Sequence, residues 1–228
     1  MKNKLFLILL LITSVDSKTL WDWEVYDLQS QVSYPWYSTP FIEELKKWNV
    51  KNWKIFEWRT DNRHSTLWWA KNCLEITTIE DQNPLRKSNS ELTEDIARLG
   101  LTNIIQKKRP ISIYQVDLPR FGKININPEC HNGQDSPYVK AIDETTDLYD
   151  CILIDGMHPN DCAKIALKHI KPHGIIILNN VNRYISGRNT NPALQLLSRY
   201  PSKHFSEQLS IDLNTTSYWV IDQLPTDL

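Results

Sequence analysis

The sequence predicts an α/β fold: a mostly parallel sheet, doubly wound, with helices on both faces. Three observations carry this reading. Apolar runs alternate with helical patterns along the chain. Several of these runs are continuous, as in strands covered on both faces. Acidic residues stand at their ends. The organising stretch is Trp53 to Asp81. An apolar run, Trp53 to Trp58, gives way to a polar turn, Arg59 to His64. A helical pattern follows, Ser65 to Asn72, and a second apolar run, Leu74 to Ile79, ends on Glu80. Strand, turn, helix, strand is one βαβ unit, with parallel strands and a right-handed crossover. Open α/β sheets bind ligands outside the carboxyl ends of their strands. Glu57 stands at that end of the first strand and Glu80 at that end of the second. An acid in the second position is the usual partner of a ribose diol, so a nucleoside-containing ligand is expected.

The remaining elements follow in order. Lys18 to Ser33 reads as an irregular arm. Ser38 or Thr39 before Pro40 marks a helix start, and Phe41, Ile42, Leu45 and Trp48 share one face of the helix that follows. Glu91 to Leu99 is an amphipathic helix closed by Gly100. Ile111 to Val116 is rich in β-branched and aromatic residues and is expected as the third strand, with Asp117 at its end. The charge run Gln106 to Arg109 reads as solvated surface. Pro119 to Pro137 reads as a long surface insertion, and Tyr138 to Ile142 as a short helical piece. Tyr149 to Ile154 is the fourth strand, ending in Asp155-Gly156. Asp161 to Ile170 is a helix. Pro172-His173-Gly174 turns the chain into the fifth strand, Ile175 to Leu178, followed by Asn179-Asn180. Asn191 caps a helix that runs to Tyr200. Strands at His204 to Ile211 and Ser217 to Ile221 complete the chain.

Composition narrows the function classes. The chain has 228 residues, 41% hydrophobic and 23% charged, enough for one domain with a sizeable core. A net charge of −1 provides no basic field for nucleic acid or an anionic membrane. The nine tryptophans read mainly as packing residues. The four cysteines match no zinc spacing and read as buried free thiols. Residues 1–17 combine a basic start, an apolar run from Leu5 to Ile12, and small residues at Val15 and Ser17. This is a signal-peptide pattern, with an N-terminal anchor or a buried N-terminal helix or strand as the alternatives. The run is too short to span a bilayer. Export, or anchoring at the N-terminus, is therefore expected; unused, the segment leaves the protein cytoplasmic.

Several motifs occur in order. Phe56-Glu57-Trp58, six residues, then Ser65-Thr66-Leu67-Trp68-Trp69-Ala70 and Thr77-Thr78-Ile79-Glu80 form the first group. Tyr149 to Gly156 with Cys162 follows F-D-x-I-x-I-D-G-x-x-R-x-x-C, with Pro159 in place of the Arg. Ile175 to Arg183 follows G-x-I-I-L-D-N-x-D-R, with Asn179 and Asn182 for the two Asp. Thr215-Thr216-Ser217-Tyr218 follows T-T-S-F. Together these resemble the class I S-adenosylmethionine-dependent methyltransferases, in a subgroup whose first motif is F-E-x-G-x-G-x-S-T-L. The resemblance runs roughly from Tyr34 to Ile221. It implies a Rossmann-like methyltransferase fold over residues 34–228, with a seven-stranded sheet that ends in an antiparallel hairpin. It also implies S-adenosylmethionine as cofactor, held by Glu57, Thr60, Asn62, Ser65, Thr66, Glu80 and Asp155. The family's first turn is glycine-rich, because backbone must approach the cofactor closely. Here Arg59 and Asp61 stand where glycines are expected, the turn is about two residues longer than the motif, and all six glycines lie elsewhere.

In cation-dependent members an acid after the fourth strand and an Asp-Asn pair after the fifth hold a divalent metal. Asp155 and Asn180 are in place, but Asn179 lacks the charge a hard cation prefers, so no metal is expected. His158 and Arg183 are candidates for a general base and a carboxylate clamp. The plainer reading makes them a surface His and a capping or salt-bridged Arg. No catalytic residue is assigned, since methyl transfer rests mainly on positioning the acceptor in line with the methyl group. The leading expectation is a methyltransferase of unknown acceptor and unknown oligomeric state. The rival is a catalytically silent domain of the same fold that binds a ligand or protein partner outside the cytosol.

Overall fold

The structure, a computed structural model, describes residues 26–27, 32–33, 35–59, 63–82, 91–110, 114–118, 122–126, 135–181, 192–208 and 213–222. The signal-like segment, Cys130, Arg183 and Asn191 lie outside the described residues, as do Thr60, Asp61 and Asn62 of the first turn. Among the described residues no helix is long and apolar enough to cross a membrane.

Two short strands, β1 (Tyr26–Asp27) and β2 (Val32–Ser33), pair antiparallel within the expected irregular arm. Helix α1 (Thr39–Leu45) starts after Ser38 with a proline in its first turn. The Ser38 side chain does not cap it. Glu207 from a distant strand accepts the Thr39 N–H at 2.9 Å instead, placing an anion at the positive end of the helix. The βαβ unit follows as β3 (Lys54–Arg59), α2 (Arg63–Asn72) and β4 (Glu75–Gln82). Helix α3 (Glu91–Leu99) is closed by Gly100 at φ +64° and leads into β5 (Ile104–Pro110). Strands β6 (Tyr114–Leu118) and β7 (Gly122–Ile126) form a separate antiparallel hairpin. A 3₁₀ turn (Val139–Glu144), β8 (Tyr149–Asp155), α4 (Pro159–His169) and β9 (Ile170–Asn179) come next. Helix α5 (Pro192–Leu197), β10 (Ser202–Gln208) and β11 (Leu213–Ile221) complete the fold.

The main sheet has seven strands in the order β10-β11-β9-β8-β3-β4-β5. Strand β3 lies between β4 and β8 and is parallel to both, as the βαβ reading requires. Strands β10 and β11 pair antiparallel, and β11 runs antiparallel to β9, so the expected terminal hairpin is present. Side chains that alternate along the strands feed two cores. On one face Phe56, Trp58, Ile152, Ile154 and Leu178 meet Cys162, Ala166 and Leu167 of α4. On the other, Ile55, Ile76, Leu153 and Ile177 meet Phe41 and Leu45 of α1 and Leu67 and Trp69 of α2. Helices therefore cover both faces.

The third strand needs correction. It is Ile104–Pro110, not Ile111 to Val116, and it passes through the charge run read as solvated surface. Strand β5 is the sheet's edge and has one neighbour, so it tolerates the charges that a central strand excludes. Asp117 belongs to the hairpin, where it pairs in register with Lys123, so it does not end a strand of the main sheet. The region read as a surface insertion contains β7.

Candidate functional site

The register of β3, β4 and β5 sets the site. On the α2 face it aligns Ile55, Ile76 and Ile104 in one row. The next row is Glu57, Thr78 and Gln106, and the last is Arg59, Glu80 and Lys108. Strand β8 adds Leu153 beside Glu57 and Asp155 beside Arg59. The face is thus apolar at its amino end and polar at its carboxyl end, within a buried layer.

Buried polar groups need partners; most of these have one, but neither Arg59 Nη atom makes a hydrogen bond among the described residues. Glu57 is fully buried; one oxygen accepts from Thr66 Oγ1 at 2.5 Å and Thr78 Oγ1 at 2.8 Å. Its other oxygen, Oε1, has no hydrogen-bond partner among the described residues. Arg59 is 1% exposed. Its Nε donates to Thr78 Oγ1 at 3.1 Å, and its Nη2 lies 3.4 Å from Glu80 Oε2. That Glu80 oxygen also faces Gln106 Nε2 at 3.3 Å and Lys108 Nζ at 3.6 Å. Glu80 is 4% exposed, so it is a buried acid and not a free strand-end carboxylate. Arg59, Thr78 and Glu57 form one donor-to-acceptor chain across the β3–β4 pair.

A second group closes the opposite flank. The Tyr37 hydroxyl lies 3.1 Å from Ser65 Oγ and accepts from Trp69 Nε1 at 3.3 Å. Burial first, then the negative charges of Glu57 and Asp155, push the Tyr37 phenol well above its ordinary pKa. It stays a neutral hydroxyl. Asp155 accepts from Asn179 Nδ2 at 3.1 Å and Asn180 Nδ2 at 3.4 Å. Asn180 takes the left-handed conformation at φ +54°. Thr216 Oγ1 donates to Asn179 Oδ1 at 2.9 Å, tying the Thr-Thr-Ser-Tyr segment to the strand end. Trp36 is exposed and stacks on His64 with ring centroids 6.1 Å apart.

Of the residues expected in a cofactor site, Glu57, Ser65, Thr66, Glu80 and Asp155 converge on this carboxyl edge. Thr60 and Asn62 lie outside the described residues. His158 is not at the surface: it is buried and left-handed at the N-cap of α4. Thr78, Tyr37 and Tyr138 were not anticipated from the sequence. The spacing of two between Thr78 and Glu80 is the signal that places both on one strand face. Tyr138 donates its hydroxyl to the Arg59 carbonyl at 3.2 Å, and its own carbonyl accepts from Trp58 Nε1 at 2.9 Å. No comparable sequence signal marks Tyr138.

No family model and no curated protein sequence matches the chain. Solved structures do resemble it. A candidate O-methyltransferase from Klebsiella pneumoniae aligns at a TM-score of 0.52 with 15% identity, covering 79% of this chain and 76% of that one. The O-methyltransferase TomG from Streptomyces achromogenes, solved with SAM, aligns at 0.51 with 12% identity, covering 80% and 77%. A cofactor-bound protein from MTB aligns at 0.51 with 14% identity, covering 75% and 73%. At such identities the likeness concerns the fold. With the strand order described above, the chain has the fold of the class I S-adenosylmethionine-dependent methyltransferases.

Proposed function

We propose that this protein is a catalytically silent methyltransferase-fold domain that binds a ligand or protein partner without using S-adenosylmethionine. The observation that carries this reading is the buried Arg59–Glu80 pair. Glu80 is the acid that a ribose diol would need, and a cation of the protein's own already faces it. The structure buries Arg59 against β4. A bound cofactor would have to displace a desolvated guanidinium. A guanidinium held there would also repel a sulfonium. The strand-end residues described therefore do not fit the cofactor.

One observation favours the other reading, a working methyltransferase of unknown acceptor. Glu57 keeps one carboxylate oxygen, Oε1, without a hydrogen-bond partner among the described residues, at an edge where the resemblance implies cofactor contacts. Titration calorimetry of the purified protein with S-adenosylmethionine and S-adenosylhomocysteine separates the two. The silent reading predicts no saturable heat with either compound. Low-micromolar binding would overturn it in favour of the enzyme.

A further inference from the structure

The silent reading concerns what the wild-type crevice binds; the cause of its closure is a separate matter that rests on that reading. We propose that Arg59 is an internal occupant of the nucleoside subsite, and that the strand-end groups described beneath it are otherwise in place for a nucleoside. The occupant is a side chain and not a collapsed wall. Strands β3 and β4 keep unbroken parallel register from Lys54–Glu75 to Arg59–Glu80, so the strand ends are where a ligand site needs them. The backbone of Arg59 is fixed from behind, where its carbonyl accepts the Tyr138 hydroxyl and sits against Gly156. With Cα held, the side chain runs along the sheet face across Thr78 to Glu80.

The groups that face the guanidinium each have another partner. Without Arg59, Glu80 keeps Gln106 and Lys108, and Thr78 keeps Glu57. Removing the side chain therefore leaves paired groups around a vacated space with Glu80 at its rim. The chemistry of that rim suits a vicinal diol, which can donate two hydrogen bonds to one carboxylate. The specificity residue is thus Arg59 itself, and the ligand class it excludes is the ribonucleosides.

Adenosine and S-adenosylhomocysteine are the probes, titrated calorimetrically into wild type, R59A, R59K and R59A/E80Q. Circular dichroism and thermal unfolding establish that each variant is folded. R59A is expected to bind at least one probe tenfold or more tighter than wild type. R59K keeps a cation against Glu80 and is expected to stay closed. R59A/E80Q is expected to lose the gain, because the diol's acceptor has lost its charge. A folded R59A with no gain overturns the proposal and leaves the silent reading intact. Low-micromolar binding by wild type sinks the silent reading, and if R59A then weakens it, Arg59 is a ligand contact and not an occupant. If R59A does not fold, R59Q, which retains a donor for Thr78, takes its place with the same expected gain and the same overturning result.

Discussion

At the scale of single residues, the acids of the site were legible and their pairing was not. Glu57 and Glu80 announce themselves because each is an acid at the carboxyl end of an apolar run, Glu57 one residue before its close and Glu80 just after. That Arg59 lies opposite Glu80 depends on the β3–β4 register, which the linear sequence does not display. The same strand end exposes a packing constraint. A Cβ on Gly156 would collide with the Tyr138 hydroxyl and press on its ring and on the Arg59 backbone. Overpacking of this kind costs about 1–3 kcal/mol. G156A is therefore expected to lower unfolding stability by that amount in urea titration. Adding Y138F should recover much of the loss, because it removes the colliding oxygen and forfeits a hydrogen bond worth about 1 kcal/mol. A G156A protein as stable as wild type would show that Tyr138 is not held as described.

At the scale of elements, the central strands were legible because they are buried on both faces, and Tyr149 to Ile154 and Ile175 to Leu178 read as continuous apolar runs. Strand β5 was not, because an edge strand answers to its partners more than to β-propensity. Its Gln106 and Lys108 turn toward Glu80, while Lys107 and Arg109 reach Glu144 at the end of the 3₁₀ turn. Arg109 first, then Lys107, holds the Glu144 carboxyl down at about 2, against an ordinary 4.5. A carboxylate with a depressed folded-state pKa stabilises the protein above its ordinary pKa, and that contribution is lost as pH falls from 4.5 toward 2. Glu144 is 37% exposed, so solvent screening limits the effect to about 1 kcal/mol or less. E144Q should be less stable than wild type by that margin at pH 7, with the two converging as pH approaches 2. A gap that stays constant over this range would remove the ion pair as its cause.

At the scale of the whole molecule, the alternation of strands and helices sets the topology and places β3 between β4 and β8. The β6–β7 hairpin was not legible, because its β-branched residues carry the same local signal as a sheet strand. Topology delivers Glu57, Arg59, Glu80, Lys108 and Asp155 to one carboxyl edge, and the proposed closure rests on a single contact there. That contact is measured most directly by a double-mutant cycle in global unfolding, using R59A, E80Q and the double variant. Residues in direct contact couple by about 0.5–3 kcal/mol, whereas independent sites add within a few tenths. The Arg59–Glu80 pair is buried and 3.4 Å long. A favourable coupling of about 1–3 kcal/mol is therefore predicted. Strict additivity of the two single changes would contradict the closed site.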